Sequence, residues 1–292
     1  MQLRKLTNIA IACIIGGTFF TFHNMEKEDT QRYQAGILAK LNESEEDFNY
    51  IVTKFEKKIK IPHMYLLHQY HYYPSLDSMF EALKNNEIEE ICTYRRVANY
   101  LMEKNPNLVF MPHSIGMPES FCFAVRKEDT ALCENLNSAI AEMKDAGTLD
   151  YITKSYIIYL NPNDEMPSIE IPKIEGAETL KVGVTGDFPP FDLILEDGKP
   201  AGFSVRLMQN ISKILNKNVE FVKISSTERA TALINKKIDV AFWVTVATDK
   251  LETNIPVTKM IDVTDSLAVT DTYYEDEVVH IAFKNQGKVV SN

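Results

Sequence analysis

The chain has 292 residues, 45% of them hydrophobic and 25% charged, and a net charge of −10. That balance is normal for a globular protein and excludes wholesale disorder, while the length suits one large domain or two of ordinary size. The acidity, with no basic run interleaved with aromatics, excludes a nucleic-acid backbone as partner and disfavours adhesion to anionic membranes.

The first residues, "MQLRK", are basic, and "LTNIAIACIIGGTFFTF" then runs uncharged for about 17 residues, near the lower limit for spanning a bilayer. A basic start followed by an apolar stretch is an export signal. Residues 1–24 therefore read as a signal peptide or membrane anchor. Three outcomes fit: a cleaved signal, an uncleaved anchor, or a lipid anchor at Cys13 within "AIAC". Each places the rest of the chain at the cell surface or in the periplasm.

Residues 25–59 are charged and free of proline, with Ile37, Leu38, Leu41, Phe48, Ile51 and Phe55 at loose helical spacing, which predicts a helical segment. From residue 60 an α/β rhythm begins. "IKIPHMYLL" predicts a strand. "PSLDSMFEALKNNE" predicts a helix capped by Ser75, with Met79, Phe80 and Leu83 on one face. "IEEICTY" is a second strand, "RRVANYLMEKNP" a second helix and "SFCFAVRK" a third strand. "EDTALCENLNSAIAEMKDAGT" is then a helix whose core face is Leu132, Leu136, Ile140 and Met143, with Gly147 as its terminator.

Residues 160–179 hold three prolines and five acids and predict a linker between a unit at 60–159 and another at 180–292. The second unit starts with the strand "LKVGV", then a strand and turn in "FDLILEDGKPAG". A helix follows, with Leu207, Met208, Ile211, Ile214 and Leu215 on one face. "VEFVKI" is a strand, "STERATALINKK" a helix capped by Ser226 or Thr227, and "IDVAFWV" a strand. This order argues a mostly parallel sheet with helices on both sides. Cys92, Cys122 and Cys133 have no zinc-ligand spacing and read as structural thiols, with one disulfide as the alternative.

The stretch "LKVGVTGDFPPFDLILEDGKPAGFSVRLMQNISKILNKNVEFVKISSTERATALINKKIDVAFWV" resembles the first lobe of bacterial extracellular solute-binding proteins, family 3, which serve polar amino-acid ABC transporters. "SLAVTDTYYEDEVVHIAFK" resembles that lobe's return strand. "SLDSMFEALKNNEIEEICTYRRVANYLMEKNPNL" and "SFCFAVRKEDTALCENLNSAIAEMKDAGTLDYITKSYI" resemble the second lobe. The lobes thus occur in inverted order. The resemblance implies a two-lobed, periplasmic-binding-protein-like (type II) α/β fold, each lobe a mostly parallel sheet flanked by helices. It also implies a small ligand held in the cleft between lobes, and an ABC transporter permease as partner.

Carried over residue by residue, the resemblance places Phe188 against the ligand, with Phe191 beside it and Asp187 either holding an amine or capping the loop. Trp243 and Thr245 end a strand at the same sheet edge. Two family features are altered. Lys250 stands near the arginine that clamps a ligand carboxylate, and a lysine lacks that planar fork. Tyr94 stands where an aspartate holds the ammonium, leaving Arg229, Arg95 and Arg96 as candidates for a relocated positive group. An amino-acid ligand is therefore put in doubt, while a small-molecule cleft is not.

His63, His68 and His71 form a loose group whose spacings do not place ligands on one strand face, so no metal or other cofactor is expected. With no GxSxG, HExxH, Walker loop or GxGxxG, the expectation is a binding protein and not an enzyme. A sensing or interaction module that has lost amino-acid binding is the alternative, with an enzyme on the same scaffold behind it.

Overall fold

The structure, a computed structural model, describes residues 32–41, 44–46, 48–49, 68–112, 117–247 and 266–284. The N-terminal stretch with Cys13, the candidate Lys250, and His63 lie outside the described residues. Among those described, no helix is long and apolar enough to cross a membrane.

The first described element corrects the sequence reading. Residues 33–38 are not helical: they form strand β1 (Tyr33–Leu38), with Ala35, Gly36, Ile37 and Leu38 buried. The run "AGIL" carries little period-3.6 information, and pairing with two parallel neighbours decides its state. Gly36 is needed there, because a Cβ would come within 2.7 Å of Ile88 Cδ1 and Met79 Cγ.

β1 sits between β2 (His68–Tyr73) and β3 (Glu90–Tyr94), both parallel to it. Helix α1 (Leu76–Lys84) links β2 to β3. Its cap is the expected Ser75, whose Oγ accepts from the Ser78 amide at 3.1 Å, and it buries Leu76, Met79, Ala82 and Leu83. Helix α2 (Arg95–Lys104) follows β3 and leads to the short β4 (Leu108–Phe110). Next come β5 (Met117–Arg126), α3 (Thr130–Asp145) and α4 (Thr148–Thr153). Leu136, Ile140 and Met143 of α3 are buried, and Gly147 stops the helix at φ +70°.

After residue 179 come β6 (Thr179–Val184), a small antiparallel sheet of β7 (Asp187–Phe188), β8 (Asp192–Ile194) and β9 (Pro200–Ala201), and helix α5 (Phe203–Leu215). β10 (Asn218–Lys223), α6 (Arg229–Ile234), β11 (Val240–Ala247), β12 (Leu267–Val269) and β13 (Tyr274–Phe283) follow among the described residues. Ser225, rather than Ser226 or Thr227, makes the capping box with Glu228 ahead of α6. Ser226 is engaged elsewhere.

One ten-stranded sheet runs β10-β6-β11-β5-β13-β3-β1-β2, with β12 beside β5 and β4 beside β13. It is parallel at both ends and antiparallel at its centre, where β5 and β13 pair from Tyr274↔Phe121 to Val278↔Met117. These two central strands exchange sides. β5 arises in the first half of the sequence and pairs with β11 of the second, while β13 does the reverse with β3 and β4. Helices α3 and α4 accordingly pack on α5. The result is two α/β lobes joined by two strands in one chain.

The proline-rich segment 160–179 is irregular but not loose. Met166 and Ile169 are buried, the Ile169 amide donates to Pro200 O at 2.9 Å, and the Asn218 amide group bonds both Ile174 and Ala177.

Candidate functional site

The carboxyl ends of β1, β3 and β6 meet at the seam between the lobes, the edge where open α/β sheets bind ligands. Lys40 follows β1, Tyr94 ends β3, and the turn "TGDF" follows β6. Glu119, near the start of β5, faces them. The Lys40 ammonium lies 2.9 Å from Glu119 Oε2 and 3.4 Å from the Tyr94 hydroxyl, which donates to Glu119 Oε2 at 2.9 Å. Burial by itself would lower the Lys40 pKa. The Glu119 carboxylate and the Tyr94 hydroxyl outweigh it and hold the ammonium above the usual lysine range.

Across the seam, the Phe188 ring stands edge-on to Tyr94 at 6.0 Å and stacks with Phe191 at 5.6 Å. Phe121 joins them, 4.7 Å from Tyr94 and 5.1 Å from Phe191. Phe188 and Phe191 are each only 1% exposed, so both rings are packed between elements. The loop holding them is set by two local devices. Buried Asp192 accepts from the Thr185 hydroxyl at 2.9 Å and the Gly186 amide at 3.1 Å. Gly202, at φ +103°, lets the start of α5 approach so that the amides of Phe203 and Ser204 donate to Pro190 O and Phe191 O.

Asp187 reaches the other lobe, where its Oδ2 accepts from the Asp77 amide in the first turn of α1 at 3.1 Å. Burial raises its pKa above the ordinary carboxylate value, partly countered by that hydrogen bond. Asp187 thus caps a helix in the opposite lobe, beyond the capping of its own loop that its sequence position suggests.

Arg229 is buried and spans the seam. Its guanidinium donates to Ala39 O at 2.6 Å, Phe242 O at 3.2 Å and Ser226 O at 3.3 Å. Burial lowers its pKa to about 10. Ser226 makes a second tie between the same elements, accepting from the Ala39 amide at 3.2 Å and donating to Tyr73 O at 2.5 Å. The Arg229 side chain is thereby engaged by main-chain carbonyls. Arg95 forms a partly exposed ion pair with Glu277 at 2.6 Å and lies over Phe110 at 5.2 Å, and the Arg96 amide donates to Asp276.

The backbones of Trp243 and Thr245 lie in β11, Thr245 opposite Phe121, and their side chains are outside the described residues. The structure therefore brings Tyr94, Phe188, Phe191, Asp187 and Arg229 to one seam and turns Arg95 toward Glu277. Lys40 and Glu119 were not legible in the sequence. Lys40 falls in a stretch that reads as helix, and its pairing with Glu119 spans 79 positions. A separate cavity of about 480 Å³, lined by Arg126, Lys127, Glu128, Ile234 and Ser266, contains none of these residues. Cys92, Cys122 and Cys133 carry thiols, so the alternative of a disulfide among them is not realised.

No curated protein matches the chain. Several solved structures are similar at low identity. The ligand-binding component of an ABC-type import system from Staphylococcus aureus is 13% identical, with 87% of this chain and 66% of that chain covered and a TM-score of 0.42. The GluR0 ligand-binding core from Nostoc punctiforme, in complex with L-glutamate, is 12% identical, with 87% and 86% covered and a TM-score of 0.38. An arginine transport system periplasmic binding protein from Legionella pneumophila is 11% identical, with 88% of each chain covered and a TM-score of 0.39. The family model of the bacterial extracellular solute-binding proteins, family 3, matches residues 180–278, from β6 through the first half of β13. Over that segment, about a third of the chain, the sequence is similar to the bacterial extracellular solute-binding proteins, family 3.

Proposed function

We propose that the protein is an exported solute-binding protein that captures a small polar ligand between its lobes and delivers it to the permease of an ABC transporter. One observation carries this reading: residues distant in sequence, Lys40, Tyr94, Glu119, Asp187 and Phe188, converge where the carboxyl ends of two sets of parallel strands face one another. The family match over residues 180–278 supports it independently. The lobe order is inverted relative to the family, with the partner lobe of 180–278 supplied mainly by the preceding half and completed by β13. The function is binding, not catalysis. It works by cleft closure, with a ligand that prefers the closed form shifting the lobes toward it.

The seam offers an ammonium, a carboxylate, a phenol and aromatic faces, a set suited to a small zwitterionic or hydroxylated solute. Trp243 and Thr245 are proposed to wall the same cleft. A second reading, a sensing or interaction module without a small ligand, is favoured by the way Arg229 and Phe188 are spent on lobe-to-lobe contact.

Thermal-shift measurements against amino acids, short peptides and organic acids separate the two. A ligand at a hundredfold excess over its Kd stabilises by about 2.7 kcal/mol, and the shift should be lost in Tyr94→Ala and Phe188→Ala. A flat response across the whole panel would count against the transport reading and for the interaction module.

A further inference from the structure

A second polar cluster is buried in the lobe built on β1, β2 and β3, at the opposite end of the parallel strands from the seam. His68 opens β2, Glu90 opens β3 and His280 lies on β13. Their exposures are 5%, 0% and 7%.

The ladder explains why they meet. Ala35 of β1 is paired with Tyr70 on one side and Glu90 on the other, and His280 is opposite Cys92. Strand residues two apart share a face, so His68 and Tyr70 stand on the same side as Glu90, Cys92 and His280. The small Ala35 leaves room between them for longer side chains.

The imidazoles converge on one carboxylate oxygen. His68 Nε2 is 3.5 Å and His280 Nδ1 is 3.1 Å from Glu90 Oε2. One donor atom from each residue lies within 4.8 Å of the other two. The two rings are 4.3 Å apart, edge to face. On the far side of His280, the Tyr70 hydroxyl is 3.1 Å from Nε2.

Three groups of this kind, gathered within reach of one point and closed off from solvent, are a ligand set for a cation. We propose that His68, Glu90 and His280 form a site for a divalent transition metal, with zinc the best-fitting ion. Ligands about 2.0–2.2 Å from a tetrahedral zinc stand about 3.3–3.6 Å from one another, close to the separations measured from Glu90 Oε2. Two imidazoles and a carboxylate, with no thiolate among the three, suit zinc or cobalt and not calcium. Tyr70 then holds the His280 ring so that Nδ1 faces the ion, as outer partners of metal-bound histidines do.

The site differs from the loose histidine group read in the sequence. His71 lies on the opposite face of β2, with its Nε2 2.7 Å from Gln34 Oε1 and its Nδ1 3.4 Å from Glu45. Because its ligands come from β2, β3 and β13, the ion would tie the strand that joins the lobes to the core of one of them.

The test takes the full chain without a histidine tag, strips it with a chelator and titrates it with Co²⁺ and Zn²⁺. The expected result is one equivalent bound, with a visible cobalt band free of thiolate charge transfer. His68→Gln and His280→Gln should each weaken binding at least about 100-fold, and Tyr70→Phe about 10-fold. His71→Gln should leave it unchanged. Since a variant in this core can also unfold the sheet, X-ray absorption of the wild-type zinc protein gives a second readout, expected to show two imidazoles with oxygen. No stoichiometric binding by the wild type, loss of binding in His71→Gln but not in His68→Gln, or sulfur in the zinc shell would each overturn the proposal.

Discussion

Replacing Arg229 by methionine tests whether this side chain serves the fold or a ligand. Arg229 is 3% exposed and its guanidinium donates to Ala39 O, Phe242 O and Ser226 O, so it joins the end of β1 to β11 and to the turn before α6. Methionine fills similar space without donors and strands up to three carbonyls. A buried acceptor left without its hydrogen bond costs about 1–3 kcal/mol, and removal of a charge that was expensive to bury returns part of that. A net loss of about 3 kcal/mol follows, equivalent to a fall in Tm of roughly 6–12 °C for a domain of about 150–250 residues. Urea unfolding at pH 7 measures it directly, with the m-value unchanged if only stability is altered. Arg229→Lys should recover only part of the loss, because an ammonium cannot reach three carbonyls spread over a planar fork. A loss below about 1 kcal/mol, or a normal fold combined with abolished ligand binding, would refute the reasoning and return Arg229 to the ligand.

Three further outcomes are expected. Asp276 on β13 is held up at about 6 by burial, against an ordinary value of 3.8, so the folded state binds a proton that the unfolded chain has released. Its contribution to stability should fall as pH rises from about 4 to 6 by at most about 3 kcal/mol, and in Asp276→Asn denaturation curves that part of the slope should be lost, leaving the smaller share from Asp187. Gly202→Ala sets a Cβ 2.5 Å from Phe191 O at φ +103°; a loss of about 2–4 kcal/mol in chemical denaturation is expected, and a neutral result would mean the start of α5 is not fixed by that contact. Burial pushes the Cys122 thiol up to about 12 and leaves it 0% exposed, so a thiol reagent under native conditions should label Cys133 first and Cys122 only on unfolding.

Most of the regular elements were legible in the chain itself because their signals are local. Ser75 caps α1 through its own third neighbour, Gly147 ends α3 by taking a left-handed conformation, and the faces of α3 and α5 follow from helical spacing. The residues around the turn "TGDFPPF" were also readable, since Asp187 and Phe188 sit directly after a parallel strand. These features depend on neighbours within a turn or two.

The rest depends on contacts between distant segments. β1 reads as helix because its short apolar run carries no alternation, and two parallel neighbours make it a strand. Lys40, Glu119 and Tyr94 meet only because β1, β3 and β5 are drawn together at the seam. The same sheet holds the Arg229 guanidinium against main-chain carbonyls from distant segments, and gathers His68, Glu90 and His280 from three strands onto one face. Local sequence determined the elements and the aromatic turn. Tertiary structure decided which polar groups share an environment, because burial and electrostatics act through space and sequence spacing does not encode that distance.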